Sequence, residues 1–428
     1  MPSSSQRPSG AAGPPHAPLA RAARRLRVLS CALDPESPPL RVVVVGAGFV
    51  GCLLAGEVLR AAPGRPVSVT VLDEAAGPGS AAPATRGSWA WLNANRKTPD
   101  HYRDLNARGM ERWRTHHALS GLPVWCGSVF LHDDGMGGAG YPSEAVGPEE
   151  VLRRHAYVSP AALEGTPGCR AYPREGLVCP REALEAARGA LAAAGGCRVE
   201  YGSRVTGVAR GGDGRPVAVE REGRAPVPAD VVVLAAGAGT AATLARLGGP
   251  ALPTDPRPGV LALTAPLPRV LDTIVVARDC YLLQRPDGVV AVGGDMSGDA
   301  GRDAAAGDPA AAAAELLRRA AAVVPALAGA ELGVASLAVR PFPADGLPCV
   351  GWVDGPASGL YVCLTHSGIT LAPLLAELAA GEVLGGPPSA DLEPYRPARL
   401  LAGGGAGNRA YDLQSDGLRL GGDGGARP

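Results

Sequence analysis

The chain opens its apolar pattern with Val42 to Val45, four successive β-branched residues that predict a strand buried on both faces. A helix is predicted from about Phe49 to Arg60 and a second strand from Val67 to Leu72. Trp89 and Trp91 alternate as in a strand, and Tyr102, Leu105, Met110 and Trp113 recur at helical spacing within His101 to His117. An alanine-rich helix is bounded by Pro180 and by Gly195 and Gly196. Arg198 to Arg210 and Val217 to Glu222 read as paired strands, and Ala229 to Thr240 as a buried strand running into a small-residue turn. Pro253 to Asp299 reads as strands, with Tyr281 and Leu283 alternating before the turn Arg285-Pro286-Asp287-Gly288. A helix from Pro309 to Val324 ends at Pro325, and a last helix starts near Gly368 and passes through Pro373, tolerable only in its first turns.

The junction after the first strand carries chemistry. Gly46, Gly48 and Gly51 stand at GxGxxG spacing: the first permits a tight turn, the second lets a pyrophosphate approach the backbone, and the third lets helix and strand pack closely. The helix that follows points its free amides and positive dipole end, at Phe49 and Val50, toward such a phosphate. The second strand runs into Asp73 and Glu74; one of these carboxylates is expected on an adenosine ribose, and Asp73 is preferred because it directly follows the strand. Spacing alone is weak in a chain of 60 glycines; its place between strand and helix, with an acid ending the next strand, makes it a dinucleotide signal.

Composition narrows the field. With 428 residues there is room for two domains, and 41 basic residues balance 41 acidic ones, so no global field favours nucleic acid or an anionic membrane. Lys97 is the only lysine, a bias that discourages reading function into each arginine. The nine cysteines show no CxxC or zinc spacing, which predicts thiols in a reduced compartment and no metal site. No apolar run reaches the length of a membrane span. Residues 1–40 are rich in Pro, Ser and Arg with no acid before Asp34, a composition shared by an organelle transit peptide and by a disordered extension. The location expected is a plastid or mitochondrion in the first case and the cytoplasm in the second. The Gly-rich residues 401–428 read as a disordered tail.

Two C-terminal segments are sharper. Arg340, Pro341, Asp345, Gly346, Pro348, Val350 and Gly351, followed by Gly368, Ile369, Leu371, Ala372 and Pro373, resemble the motifs of the D-amino-acid oxidase family in its broad sense, which includes glycine oxidase and the sarcosine oxidases. The likeness runs from about Arg41 to Leu400; Gly239 and Thr240 depart from it where the family carries Trp and Ser. The resemblance implies a doubly wound, Rossmann-type FAD-binding α/β domain with an inserted mixed-sheet α+β substrate domain. The FAD-binding domain is expected from residues 41–95, 180–250 and 340–400, and the substrate domain from 96–179 and 251–339. It also implies oxidation of a carbon–nitrogen bond in a small amine or amino acid, by hydride transfer to the flavin.

Site residues follow from the same resemblance. Cofactor contacts are expected from Gly46, Gly48, Phe49, Val50, Gly51, Asp73 and Glu74, from Thr85 and Arg86, from Val205, Ala236 and Gly237, and from Gly368, Ile369 and Thr370. Sarcosine oxidases attach flavin through a cysteine whose position corresponds to Ala338, so FAD is expected to bind noncovalently, and Cys349 is read as a packed thiol. Arg340 is the expected carboxylate binder, or else pairs with an acid such as Asp345. Tyr281 faces substrate or packs in the core, and His366 faces the site or bonds within its loop. The lysine near flavin N5 that sarcosine oxidases use with oxygen has no counterpart around Val290 to Gly293; Lys97 replaces it only if Asn93 to Lys97 folds over the flavin. The acceptor is therefore molecular oxygen, or a quinone or protein in a dehydrogenase. A noncatalytic FAD-binding assembly protein is the reading from another class.

Overall fold

A computed structural model describes residues 38–401 except 63, 65, 134, 136–139 and 295–306. The transit-like extension as far as residue 37 and the Gly-rich tail from 402 lie outside the described residues, as does the end of the predicted strand region beyond 294. Two sheets organise the chain. The first has six strands in the order β18 (Cys349–Trp352), β19 (Leu360–Leu364), β12 (Val231–Leu234), β1 (Leu40–Val45), β2 (Val67–Leu72) and β8 (Cys197–Glu200). Five are mutually parallel, and β18 runs antiparallel at the edge. Its strands thus come from three separated stretches of sequence, and the strand order reverses between β1 and β12. In open α/β sheets that is where ligands sit, beyond the carboxyl ends of the strands.

The valines of β1 explain its central place. Val42 and Val44 enter one apolar cluster with the helices Phe49–Arg60, Asp100–Thr115 and Gly368–Val383, while Val43 and Val45 enter another on the opposite face. That opposite face is covered by a three-stranded sheet, β9 (Val205–Arg210), β10 (Pro216–Arg221) and β11 (Arg224–Pro228), and the short helix Thr240–Arg246. Here one expectation is corrected. The run read as a single strand from Arg198 to Arg210 is β8 in the large sheet and β9 in the small one, and the break falls at Gly202, which has φ of 59°.

The second large sheet is mixed: β17 (Leu332–Arg340), β13 (Arg257–Thr264), β16 (Val290–Gly293), β15 (Tyr281–Gln284), β14 (Ile274–Val276), β4 (Ser128–Phe130), β6 (Cys169–Tyr172) and β5 (Glu144–Val146). Val260, Ala262, Leu282, Val290 and Val292 pack its outer face against the helix Pro309–Val323. Leu263, Leu283 and Ala291 face the first sheet's cluster. A two-stranded ribbon, β3 (Trp91–Leu92) with β7 (Gly176–Leu177), lies at the seam. The described cysteines are all free thiols, and among the described residues no helix is long and apolar enough to cross a membrane.

Candidate functional site

The turn after β1 is shaped by what surrounds each glycine. Gly46 has φ of +110°, and a Cβ there would lie 2.4 Å from Ala235 O. A Cβ on Gly51 would lie 2.0 Å from Gly46 O, so helix and turn are in direct backbone contact. Gly48 is different: a Cβ would meet nothing nearer than Thr85 Oγ1 at 3.9 Å. Its lack of a side chain serves no packing within the protein and leaves open the space before the helix Phe49–Arg60. That helix has no side-chain cap, and Phe49 N–H reaches Thr85 Oγ1 only at 3.4 Å. Uncapped amides beside an open glycine fit a phosphate.

Asp73 lies against this turn, its carboxylate accepting from Ala47 N at 2.7 Å and Ala75 N at 2.9 Å. Glu74 instead faces Arg204 at 3.6 Å with its side chain 67% exposed. Arg86 spends its guanidinium on Ala81 O and Pro78 O. Val205 is buried at the start of β9, and Ala236 and Gly237 form the turn that leaves β12 beside Gly46. Arg188, which the sequence gave no reason to select, donates to Ala47 O and Pro78 O and so clamps the same turn.

The start of the last helix closes the other side. A Cβ on Gly368 would lie 3.7 Å from Val50 Cγ2, so the two helix N-termini meet although more than 300 residues separate them. The helix Gly368–Val383 also has no side-chain cap. Ser367 is engaged elsewhere, with Tyr102 OH at 2.7 Å and Lys97 Nζ at 3.4 Å. Ile369 O accepts from Trp113 Nε1, and Thr370 Oγ1 donates to Trp91 O. Lys97, which is buried, thus reaches this helix start.

Arg340 ends β17 with its Nε buried and without a hydrogen-bond partner, and a single long bond of 3.4 Å joins Nη2 to Pro258 O. The pairing with Asp345 is absent. Asp345 is held by Arg399 at 2.6 and 3.0 Å, which ties the loop after β17 to the helix Ala398–Leu401. Breaking that part-buried pair leaves an acid that is 9% exposed unmatched, so Arg399→Gln is expected to cost about 3 kcal/mol of stability in urea unfolding. Arg340 and Arg257 are cross-strand neighbours that both approach the Phe342 ring, at 5.7 and 4.8 Å. His366 stacks on Phe342 at 3.9 Å. Burial, and then the charges of Arg340, Lys97 and Arg257, hold His366 well below its ordinary pKa, so it is neutral at pH 7.

Tyr281 lies over Gly293 and meets Trp89 edge to face at 4.2 Å, and Trp89 meets Trp91 at 5.3 Å. It is half-buried, between the two expectations for it. Arg285, also unselected in the sequence, reaches Ser88 O at 3.1 Å and fixes the stretch that carries Trp89. Cys349 is fully buried in β18, its thiol pushed up to about 12 by burial. Among the described residues, Glu57, His116 and His117 bring possible metal-ligand atoms within 4.8 Å of one another. Arg60 already binds this carboxylate, and Ala118 N–H donates to His116 Nδ1, which puts the imidazole proton on Nε2, facing Glu57. His116 Nε2 comes within 3.3 Å of Glu57 Oε1 without making a hydrogen bond, and the hold of Arg60 on the carboxylate argues against a ligand set.

Uncapped helix starts at Phe49 and Gly368, an open Gly48 and an acid on the turn suit the pyrophosphate and ribose of FAD. The model of a family described as FAD dependent oxidoreductase matches residues 41–381. The glycine oxidase of Pseudomonas putida is 34% identical over 176 residues, 40% of this chain and 47% of that protein. The matched stretch thus spans about half the length of that relative. Among solved structures, glycine oxidase from Geobacillus kaustophilus superposes with a TM-score of 0.68 at 22% identity, covering 84% of this chain and 99% of that one. L-proline dehydrogenase from P. horikoshii gives a TM-score of 0.69 at 18% identity over 85% and 98%. These two likenesses are of fold. The match of the family model over most of the chain makes it a member of the FAD-dependent oxidoreductase family.

Proposed function

We propose that this protein oxidises the carbon–nitrogen bond of a small carboxylated amine or amino acid. The observation that carries this reading is Arg340: a buried guanidinium edge with an unpartnered Nε, at the end of β17 near the start of the helix Gly368–Val383. A planar fork of that kind receives a carboxylate through charge-assisted bonds. When bound, FAD supplies a two-electron acceptor for the hydride leaving the α-carbon, and the imine so formed on the substrate is hydrolysed by water.

The chain's own residues bind and orient. Asp73 would hold the ribose, the amides at Gly48 to Gly51 would hold the pyrophosphate, and those at Gly368 to Thr370 would stabilise negative charge gathering on the ring system. Arg340 fixes the substrate carboxylate, and Tyr281 with Trp89 gives the amine end an aromatic wall. His366, neutral at pH 7, adds no further positive charge to a site already holding Arg340, Arg257 and Lys97, so an amine with a free lone pair is not protonated at its expense. Glycine oxidase among the relatives supports a small amino acid. The valine- and alanine-lined β16 carries no lysine, a point in favour of an acceptor other than oxygen, whereas the buried Lys97 at Ser367 favours oxygen.

Anaerobic titration of the FAD-loaded protein with glycine, sarcosine, proline and other small amino acids is expected to bleach the flavin band with at least one of them. Simple amines lacking the carboxylate are expected to bleach it far more slowly. A yellow protein that no amine in such a panel reduces overturns the reading, and mixing the reduced protein with oxygen separates oxidase from dehydrogenase.

A further inference from the structure

The stretch from Ala90 to Lys97 is tied down at three points. Thr370 Oγ1 donates to Trp91 O at 3.2 Å, and Lys97 Nζ reaches Ser367 Oγ at 3.4 Å, so both ends rest on the start of the last helix. The middle is tied to Glu175. Its Oε1 accepts from Asn95 Nδ2 at 2.6 Å and Asn95 N at 3.3 Å, and its Oε2 accepts from Ser128 Oγ at 2.7 Å. The carboxyl is fully buried and its backbone is fixed: Glu175 O accepts from Gly127 N at 2.9 Å, and a Cβ on Gly176 would lie 2.5 Å from Val124 O. Ala90 and Arg96, which bracket the stretch, are non-glycine residues at φ of 61° and 53°. Left-handed backbone of that kind persists only where the surroundings over-determine it.

We propose that Glu175 is a positioning residue of the oxidation site: its carboxyl anchors Asn95, sets residues 91–97 against Ser367 and Gly368, and transmits its own proton state to the bound flavin. The proposal rests on the placement of the cofactor ring at Gly368 given above. Both proton states have a satisfied geometry. The Ser128 hydroxyl donates to the carboxylate and accepts from the acid, while Oε1 keeps both Asn95 bonds. What changes is charge, and with it the strength of those bonds, since charge-assisted bonds are roughly twice as strong as neutral ones. Burial pushes Glu175 up to about 7, against hydrogen bonds from Ser128 and Asn95 that favour the charged form.

The ionisable neighbours are Tyr141 and Tyr172, both raised by burial and protonated near neutrality, with Arg96, Arg114, Arg170, Arg174 and Asp133 around those rings. Lys97 and His366 lie on the far side of the stretch, and His366 titrates well below its ordinary value. Of Glu175, Tyr141, Tyr172 and His366, Glu175 is the one that changes charge near pH 7. Because its folded value is raised, the stability it gives by keeping its proton is present below the ordinary carboxylate range and lost as pH rises through about 7.

The test uses the FAD-loaded protein between pH 5.5 and 8.5, following the flavin's visible absorbance and circular dichroism, with no substrate present. A single transition centred near pH 7 is expected in the unaltered protein. It should vanish in Glu175→Gln, whose amide accepts from Asn95 and donates to Ser128. In a second arm, the ratio of the flavin-reduction rate of the unaltered protein to that of Glu175→Gln, measured with the same amine so that the substrate's own titration cancels, should rise at least threefold from pH 6 to 8. No transition near pH 7, or one that survives in Glu175→Gln, overturns the proposal. Should Glu175→Gln fail to hold FAD, Ser128→Ala removes a donor to the charged form and is expected to move the midpoint upward; an unmoved midpoint again overturns it. A transition abolished in Glu175→Gln while no amine reduces the flavin upholds the role of Glu175 and sinks amine oxidation alone.

Discussion

Arg340→Ala is expected to lower kcat/KM for a carboxylated amine by about a hundred- to ten-thousandfold while leaving FAD bound. The magnitude follows from two charge-assisted hydrogen bonds, each contributing about 1.5–3 kcal/mol, with 1.4 kcal/mol per factor of ten. The fold should survive, because among the described residues Arg340 makes one long internal bond, to Pro258 O, and no ion pair with an acid. Asp345, the nearest acid in its motif, belongs to Arg399. Arg340→Lys should recover only part of the loss, since an ammonium supplies charge without the planar fork. The control lies in the substrate: for an amine that has no carboxylate, the unaltered protein and Arg340→Ala should differ by less than about threefold, because the missing contact has no partner to lose. Equal losses on both substrates would show that Arg340 supports the site's structure instead of binding the ligand.

How much of this could be read in the chain depends on the distance over which each signal acts. The strand, turn and helix at Leu40 to Arg60 were legible because every determinant is local: valines buried on both faces, then glycines at fixed spacing. The last helix, Gly368–Val383, was legible in the same way. Partners across the fold were not. Nothing in the neighbourhood of Glu175 announces Asn95, 80 residues earlier, and Asp345 finds Arg399 across 54 residues. The false single strand from Arg198 to Arg210 shows a related blindness. Apolar residues continue across Gly202, and only the three-dimensional course shows that the chain changes sheets there. Position after the strand favoured Asp73 over Glu74 only slightly, and contact separates them clearly: one meets the glycine turn, the other meets Arg204 at the surface.

The three glycines of the first turn, alike in the sequence, should give three different outcomes when each is changed to alanine. Gly51→Ala forces a Cβ to within 2.0 Å of Gly46 O, and Gly46→Ala adds a left-handed backbone to a 2.4 Å clash with Ala235 O. Both must move backbone at the sheet's centre, a destabilisation of at least about 1–3 kcal/mol with FAD lost as a consequence. Gly48→Ala meets no atom closer than 3.9 Å, so the apoprotein should lose no more than about 1 kcal/mol, the cost of a weaker residue at a helix start. Its FAD affinity should nonetheless fall about 10- to 100-fold, because the methyl group fills the approach that lets a phosphate accept from the helix amides, a loss of about 1.5–3 kcal/mol. Urea unfolding of the apoprotein and fluorescence titration with FAD separate the two effects. If Gly48→Ala binds FAD as tightly as the unaltered protein, the phosphate does not lie against Gly48. The open space at that residue would then be an accident of the turn, and the amides at Phe49 to Gly51 would need another ligand.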